Sequence, residues 1–159
     1  MVELILHIQK ISVYDEVAKT TSYTGAKMQE DEGAYDRIFT TDADRQMLER
    51  FWNEACDGAT EQLKPFLNSA VTQNVSHGVD LTADYDVTLA LSNSYDRNLD
   101  ASVLTSLYSY FVSFIVSRWY KFTNKNEAES YFNDAVGMMD DVMRKLYYRK
   151  KPTRVKPQS

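Results

Sequence analysis

The sequence predicts an α+β domain, predominantly helical, with three main helices and a small β-sheet or hairpin. Three observations predict it. Residues 2–8 and 85–91 alternate apolar and polar side chains as strands do. Residues 42–63 carry one apolar stripe at helical spacing. Two long apolar-rich stretches near the C-terminus are separated by a few polar residues, the pattern of a helical hairpin.

In chain order, Val2, Leu4, Leu6 and Ile8 form the first strand. Ser12-Val13-Tyr14-Asp15 has capping-box form, so a short helix is expected over 13–24, with Gly25 as its stop. A continuation of the strand is the competing reading. Residues 26–40 show no period and carry Glu30, Asp31, Glu32 and Asp36, which reads as an acidic loop or arm. Thr41-Asp42-Ala43-Asp44 opens the next helix, with Met47, Leu48, Phe51, Trp52, Ala55, Ala59 and Leu63 on its stripe. Asp42 and Asp44 fall in the first turn, where the helix dipole favours negative charge. Pro65 ends or kinks this helix, which is expected to resume through Ala70 and Val71.

Val79-Asp80-Leu81, then Tyr85, Val87, Leu89 and Leu91, predict a hairpin, so the small sheet is expected from residues 2–8 and 79–92. Asp100 caps a helix over 101–121 that is apolar on nearly every side, as suits a helix packed by several neighbours or closed over by another subunit. A last helix over 126–148 places Ala128, Tyr131, Phe132, Ala135, Met139, Val142 and Leu146 on one stripe. Pro152 stops it. Residues 1–148 thus read as a single globular domain and 149–159 as a basic C-terminal tail.

Most chemistry has no foothold here. The two histidines, His7 and His77, are far from any nucleophile-elbow or Cys–His pattern. Two histidines and the lone Cys56 lack the clustering of a zinc site, and the five glycines form no phosphate loop. Asp84 and Asp86 share a strand face and read as a wet surface, with cation binding as the minor alternative. A metal-dependent hydrolase using acidic residues is the weakest of the functional readings. No catalytic, cofactor-binding or metal-binding residue is assigned. The single cysteine excludes an internal disulfide and fits a reducing compartment as a buried, inert thiol. The N-terminus is too short and too charged for a signal peptide, and the uncharged run 101–117 is broken by serines and a threonine, so a soluble chain is expected.

The remaining asymmetry is charge. Residues 1–143 hold eleven basic residues against all twenty-three acidic ones, whereas the last sixteen hold seven basic residues and no acidic one. Arg144, Lys145, Arg149, Lys150, Lys151, Arg154 and Lys156 are therefore the candidate partner-binding residues. They suit an acidic protein surface, a neighbouring copy, or nucleic acid with Tyr147 and Tyr148 available for stacking. Arg144, Lys145 and Arg149 also suit the plain role of capping a helix C-terminus. Tyr108, Trp119, Tyr147 and Tyr148 are the candidate interface aromatics; tyrosine, eleven residues here, suits half-buried surfaces.

The order of elements resembles a known family. A helix opened by TTDADRQMLERFWNEACD, a small strand region, an aromatic helix through YFVSFIVSRWYKF and a last helix ending LYYRKKPTR are similar to head-to-tail connector proteins. These are the small adaptor or neck subunits of tailed bacteriophages and of prophages. The resemblance spans residues 40–154; the strand and short helix at 2–24 depart from its simplest members and leave a tail-completion subunit as another virion role. It implies a non-enzymatic structural protein of the virion, made in the bacterial host cytoplasm, that assembles as a ring on the portal. Its partners would be other copies and portal or neck proteins, with no cofactor and no membrane. The alternative is a cytoplasmic binding module that uses the basic tail on nucleic acid or an acidic protein.

Overall fold

The computed structural model describes residues 1–27, 44–68 and 84–152. The acidic segment 28–40, Asp42, the continuation at Ala70 and Val71, His77, the strand at 79–81, Arg154 and Lys156 lie outside the described residues. Among those described, the order is β1 (Val2–Ile8), α1 (Lys10–Lys27), α2 (Arg45–Leu63), β2 (Tyr85–Leu91), α3 (Asp100–Thr123) and α4 (Lys125–Tyr147). The fold is α+β and mostly helical, as the sequence predicts.

β1 and β2 pair antiparallel, in a register that puts Leu4 beside Leu89, Leu6 beside Val87 and Ile8 beside Tyr85. All six are buried on the inner face, which pins the register, because a one-residue slip would turn them to solvent. The outer face carries the pair His7 and Asp86. Beyond β2's far edge, Leu67 bridges Leu89 and the Asn68 amide donates to the Thr88 carbonyl at 3.4 Å.

α1 follows β1 after the single residue Gln9, so it begins earlier than the capping box predicts and Ser12 lies inside it. Its cap comes from elsewhere in the chain. The Asp84 carboxylate, at the foot of β2, accepts the Lys10 amide at 2.9 Å, satisfying one of the donors that a helix start leaves free. The Ser12 carbonyl accepts the Tyr108 hydroxyl at 3.0 Å. Gly25 does not stop the helix, which continues to Lys27. Val13, Val17 and Thr21 are all buried, and the Thr21 hydroxyl is satisfied by the Val17 carbonyl at 2.9 Å.

α2 buries Leu48, Phe51, Trp52, Ala55, Ala59 and Leu63 as its stripe predicts, whereas Met47 is exposed. Asp44 occupies the cap position but makes no capping hydrogen bond through its side chain. Pro65 acts as expected, and the chain tightens into a 3₁₀ turn over Lys64–Phe66.

α3 is the central helix. An 18-residue window of it, at a mean hydropathy of 1.4, is long and apolar enough for a membrane span, yet the helix packs here against α1, α2, α4 and β1. Phe111 sits at the crossing of the layers, with Trp52 of α2 at 4.9 Å and Tyr85 of β2 at 5.2 Å between ring centroids. Asp100 lies within the first turn instead of capping it, and its carboxylate accepts the Tyr95 hydroxyl at 2.8 Å.

The break before α4 is one residue, Asn124. α3 and α4 then run antiparallel, as contacts between Ser106 and Asp141 and between Tyr120 and Tyr131 require. The predicted helical hairpin is therefore present. Ala128, Ala135, Met139, Val142 and Leu146 face the core, but Phe132 of the same predicted stripe is 41% exposed.

Candidate interaction surfaces

The basic C-terminal residues divide. Lys145 is drawn back onto the fold: its ammonium is 2.6 Å from the Asp141 carboxylate and 2.9 Å from the Ser106 hydroxyl. Arg144 pairs with the other Asp141 oxygen while its own side chain stays mostly exposed. The Lys145 hydrogen bond first, then that of Ser106, pulls the Asp141 carboxyl down to about 2. Arg149 donates to the Leu146 carbonyl at 3.1 Å, which serves one of the acceptors left at the end of α4. Its backbone bridges Tyr95, and the Lys150 amide donates to the Ser94 carbonyl at 2.8 Å. Three of the seven cations thus act where a helix C-terminus favours positive charge. Lys150 and Lys151 are exposed and project from beside the Ser94–Tyr95 loop.

The four singled-out aromatics separate as well. Trp119 is 6% exposed and belongs to the core, so it is not available to a partner. Tyr108 is half-buried. Tyr147 and Tyr148 are about half exposed, at 53% and 50%, and Tyr147 packs on Phe66 with ring centroids 4.8 Å apart.

Two polar clusters join β1 and α1 to the rest, and the sequence reading combined neither. On the outer sheet face, the two ring nitrogens of His7 face Asp86, at hydrogen-bond contact, and Asp84 at 3.5 Å. The Asp86 hydrogen bond is the main cause of a raised His7 pKa. With carboxylates at both nitrogens, the cationic form of the imidazole is favoured, and that form has no free lone pair for proton abstraction. Asp84 and Asp86 are thus occupied by protein groups, one on a helix amide and one on His7.

Inside, Lys10 and Glu49 form an ion pair at 2.8 Å, with side chains 5% and 1% exposed. The Tyr14 hydroxyl donates to the other Glu49 oxygen at 2.8 Å, and burial followed by that bond pushes its pKa far upward. A paired, hydrogen-bonded carboxylate is the form in which a buried charge is tolerated. Glu49 has a sequence signal: three residues before Trp52 and beside Leu48, it sits on the apolar stripe of α2. Lys10 gives none, because its partner lies 39 residues away. Cys56 is only partly buried, yet burial first raises its thiol to about 12, which keeps it protonated and unreactive.

Among the described residues, apolar side chains also stand exposed, Ile5, Ile11 and Phe122 among them, and in two regions they line hollows. Along α4, Phe132 stands between two troughs. One, of about 500 Å³, is bordered by Lys121, Lys125 and Ala128. The other, of about 190 Å³, has Tyr110, Phe114 and Met139 as its floor and Gly58 and Val136 on its walls. Val136 is 45% exposed. Elsewhere, a cleft of about 310 Å³ lies between the start of α1 and the first turns of α3, lined by His7, Ile8, Ser12, Leu104 and Tyr108. Leu104 is 38% exposed. At 100° per residue the Leu104–Tyr108 side of α3 is turned roughly 120° from its Tyr110–Phe114 side, so the two surfaces face different directions.

No protein-family model matches this chain, and no curated protein or solved structure does either.

Proposed function

We propose that this protein is a non-enzymatic structural subunit that works by self-association, as a head–tail connector or neck subunit of a tailed phage or prophage would. The observation that carries this is the apolar surface that stands exposed on more than one side of the described body. Phe132 and Val136 are exposed on one face and Leu104 on the other. Apolar area gains free energy when another surface covers it, and a ring subunit must meet two neighbours. The acidic body and the projecting Lys150 and Lys151 suit contact with copies or neck proteins of opposite local charge.

Light scattering on the full chain across a concentration series tests this. The expected result is a mass of several subunits. A monomer at every concentration, with or without salt, would contradict it. A chain ending at Tyr148, measured beside it at low and high salt, shows whether residues 149–159 contribute.

A second reading has its own support, since exposed Tyr147, Tyr148, Lys150 and Lys151 combine stacking surface with cations at one end of the molecule. Salt-dependent binding of single-stranded DNA by the full chain, lost on removal of residues 149–159, would select it.

A further inference from the structure

We infer that β1 pairs with β1 of a second copy, edge to edge and antiparallel about a two-fold axis at Ile5, so that two small sheets join into one of four strands. This rests on the self-association reading and names one contact within it.

The backbone leaves that edge open. In an antiparallel pair the amide and carbonyl of one residue point to the partner strand, and those of the next point away. On β2 the Thr88 carbonyl points away from β1, since it accepts the Asn68 amide on the far side. Ile5, opposite Thr88, therefore turns its own amide and carbonyl away from β2, and Glu3 and His7 do the same. Among the described residues the sheet has two strands, so no strand pairs with this edge. The Arg97 guanidinium reaches the Glu3 carbonyl at 3.2 Å, but a carbonyl has two lone pairs and can accept a second donor. β1 carries neither Pro nor Lys, two of the devices that blunt an edge.

The side chains make the edge complementary to itself. Antiparallel pairing about Ile5 sets Ile5 opposite Ile5, Leu4 opposite Leu6 and Val2 opposite Ile8. On the outer face it sets Glu3 opposite His7, a carboxylate facing an imidazole whose cationic form is favoured. Ile5 is 68% exposed at the middle of the open edge, and the Ile5 of a second copy would cover it. Other pairings fit less well. A parallel pair in register would set Glu3 against Glu3, and an antiparallel shift of two residues would set Ile5 against Glu3 or His7.

Such a contact is isologous and uses each edge once, so it joins copies in pairs. With so few outward residues on each strand it is slight, and it assists the Phe132 face in holding a larger assembly without replacing it.

Disulfide mapping tests this in full-length chains carrying Cys56→Ala, with Glu3→Cys, Ile5→Cys or His7→Cys added singly. Circular dichroism melts confirm that each variant folds. Mild oxidation should give a covalent dimer from Ile5→Cys alone, since hydrogen-bonded cross-strand Cα atoms lie about 5.5 Å apart, within the roughly 7 Å that a disulfide spans. Glu3→Cys alone and His7→Cys alone should give none, because four residues at about 3.4 Å each separate the like positions. A mixture of those two should cross-link. Equal cross-linking of all three single variants would show chance collision and overturn the inference. No cross-link from Ile5→Cys, where the unaltered chain scatters as an oligomer, would overturn the β1 pairing and leave self-association standing. An unaltered chain that is a monomer at every concentration would overturn both. As a second arm, Ile5→Pro removes an amide that β1 does not use on β2. This variant should melt close to the unaltered chain and associate roughly tenfold more weakly. Unchanged association in the folded Ile5→Pro variant would overturn the use of this edge.

Discussion

α3 separates two kinds of apolar surface. On its inner side Phe111 is closed over by Trp52 and Tyr85, and Trp119 and Tyr120 are buried. Toward the Phe132 troughs and the Leu104 cleft, similar side chains stand in partial contact with solvent. The same residue types therefore do different work: inside they hold the fold, and outside they are surface that another protein can cover. If this division is right, substitutions on the inner side should lower stability, and substitutions on the outer faces should leave it nearly unchanged.

The largest losses are expected inside. Lys10→Ala leaves the Glu49 carboxylate buried without its cation and should cost about 3–5 kcal/mol in denaturant unfolding. Replacing both partners, Lys10→Met with Glu49→Met, should cost less than the single change, because no lone charge is left behind. Trp119→Ala should likewise cost about 3–5 kcal/mol, as large aromatic truncations in cores do. A loss under about 1 kcal/mol in either single variant would place that residue on the wrong side of the division.

A finer comparison uses two helical glycines. Nothing lies within 4 Å of where a Cβ on Gly137 would stand, whereas one on Gly58 would meet the Tyr110 hydroxyl at 2.6 Å. That hydroxyl donates to the Ala55 carbonyl at 3.0 Å, so Gly58 is the space through which Tyr110 reaches α2. Gly137→Ala should stabilise by about 1 kcal/mol through helix propensity. Gly58→Ala should forfeit that gain, since displacing the hydroxyl costs about 1–3 kcal/mol. Equal melting shifts for the two would mean that Tyr110 moves aside freely.

The smallest effect is expected at the exposed clasp. His7 has a raised pKa in the fold, so its contribution is fully present below its unfolded value, near 6.5, and is lost as pH rises through the folded value. The melting temperature of His7→Gln should therefore fall furthest below that of the unaltered chain at pH below about 6.5, with the gap closing as pH rises through the folded value. A gap that is constant with pH would mean that the charge on His7 contributes nothing.

How much of this was legible depends on how far apart the cooperating residues lie. The alternation at 2–8 and 85–91 specifies both strands and, through the buried pairs, their register. The α2 stripe and the hairpin of α3 and α4 follow from local spacing in the same way. The start of α1 does not, because its cap, Asp84, lies 74 residues from the amide it binds. Gly25 reads as a stop, but helix α1 runs through it. The basic run at the C-terminus is plain in the sequence, but the division of its charges is not. The pairing of Lys145 with Asp141 is an i, i+4 contact that helical spacing already offers, but the Ser106 hydroxyl that joins both lies on the other arm of the helix hairpin, and only the fold brings it to them. The exposure of Phe132 was hidden for a related reason: it shares the apolar stripe of α4, and how much of that stripe α2 and α3 cover is decided by the fold.

The most direct measurement sets mass and stability side by side for Phe132→Ser and the unaltered chain, by light scattering and thermal melting on the same samples. The unaltered chain should scatter as an oligomer. The variant should be monomeric or much more weakly associated, with a stability within about 0.5 kcal/mol, as for a surface change. A variant that stays fully assembled, or one that unfolds instead of dissociating, would contradict the central claim that this exposed face exists to be covered by another copy.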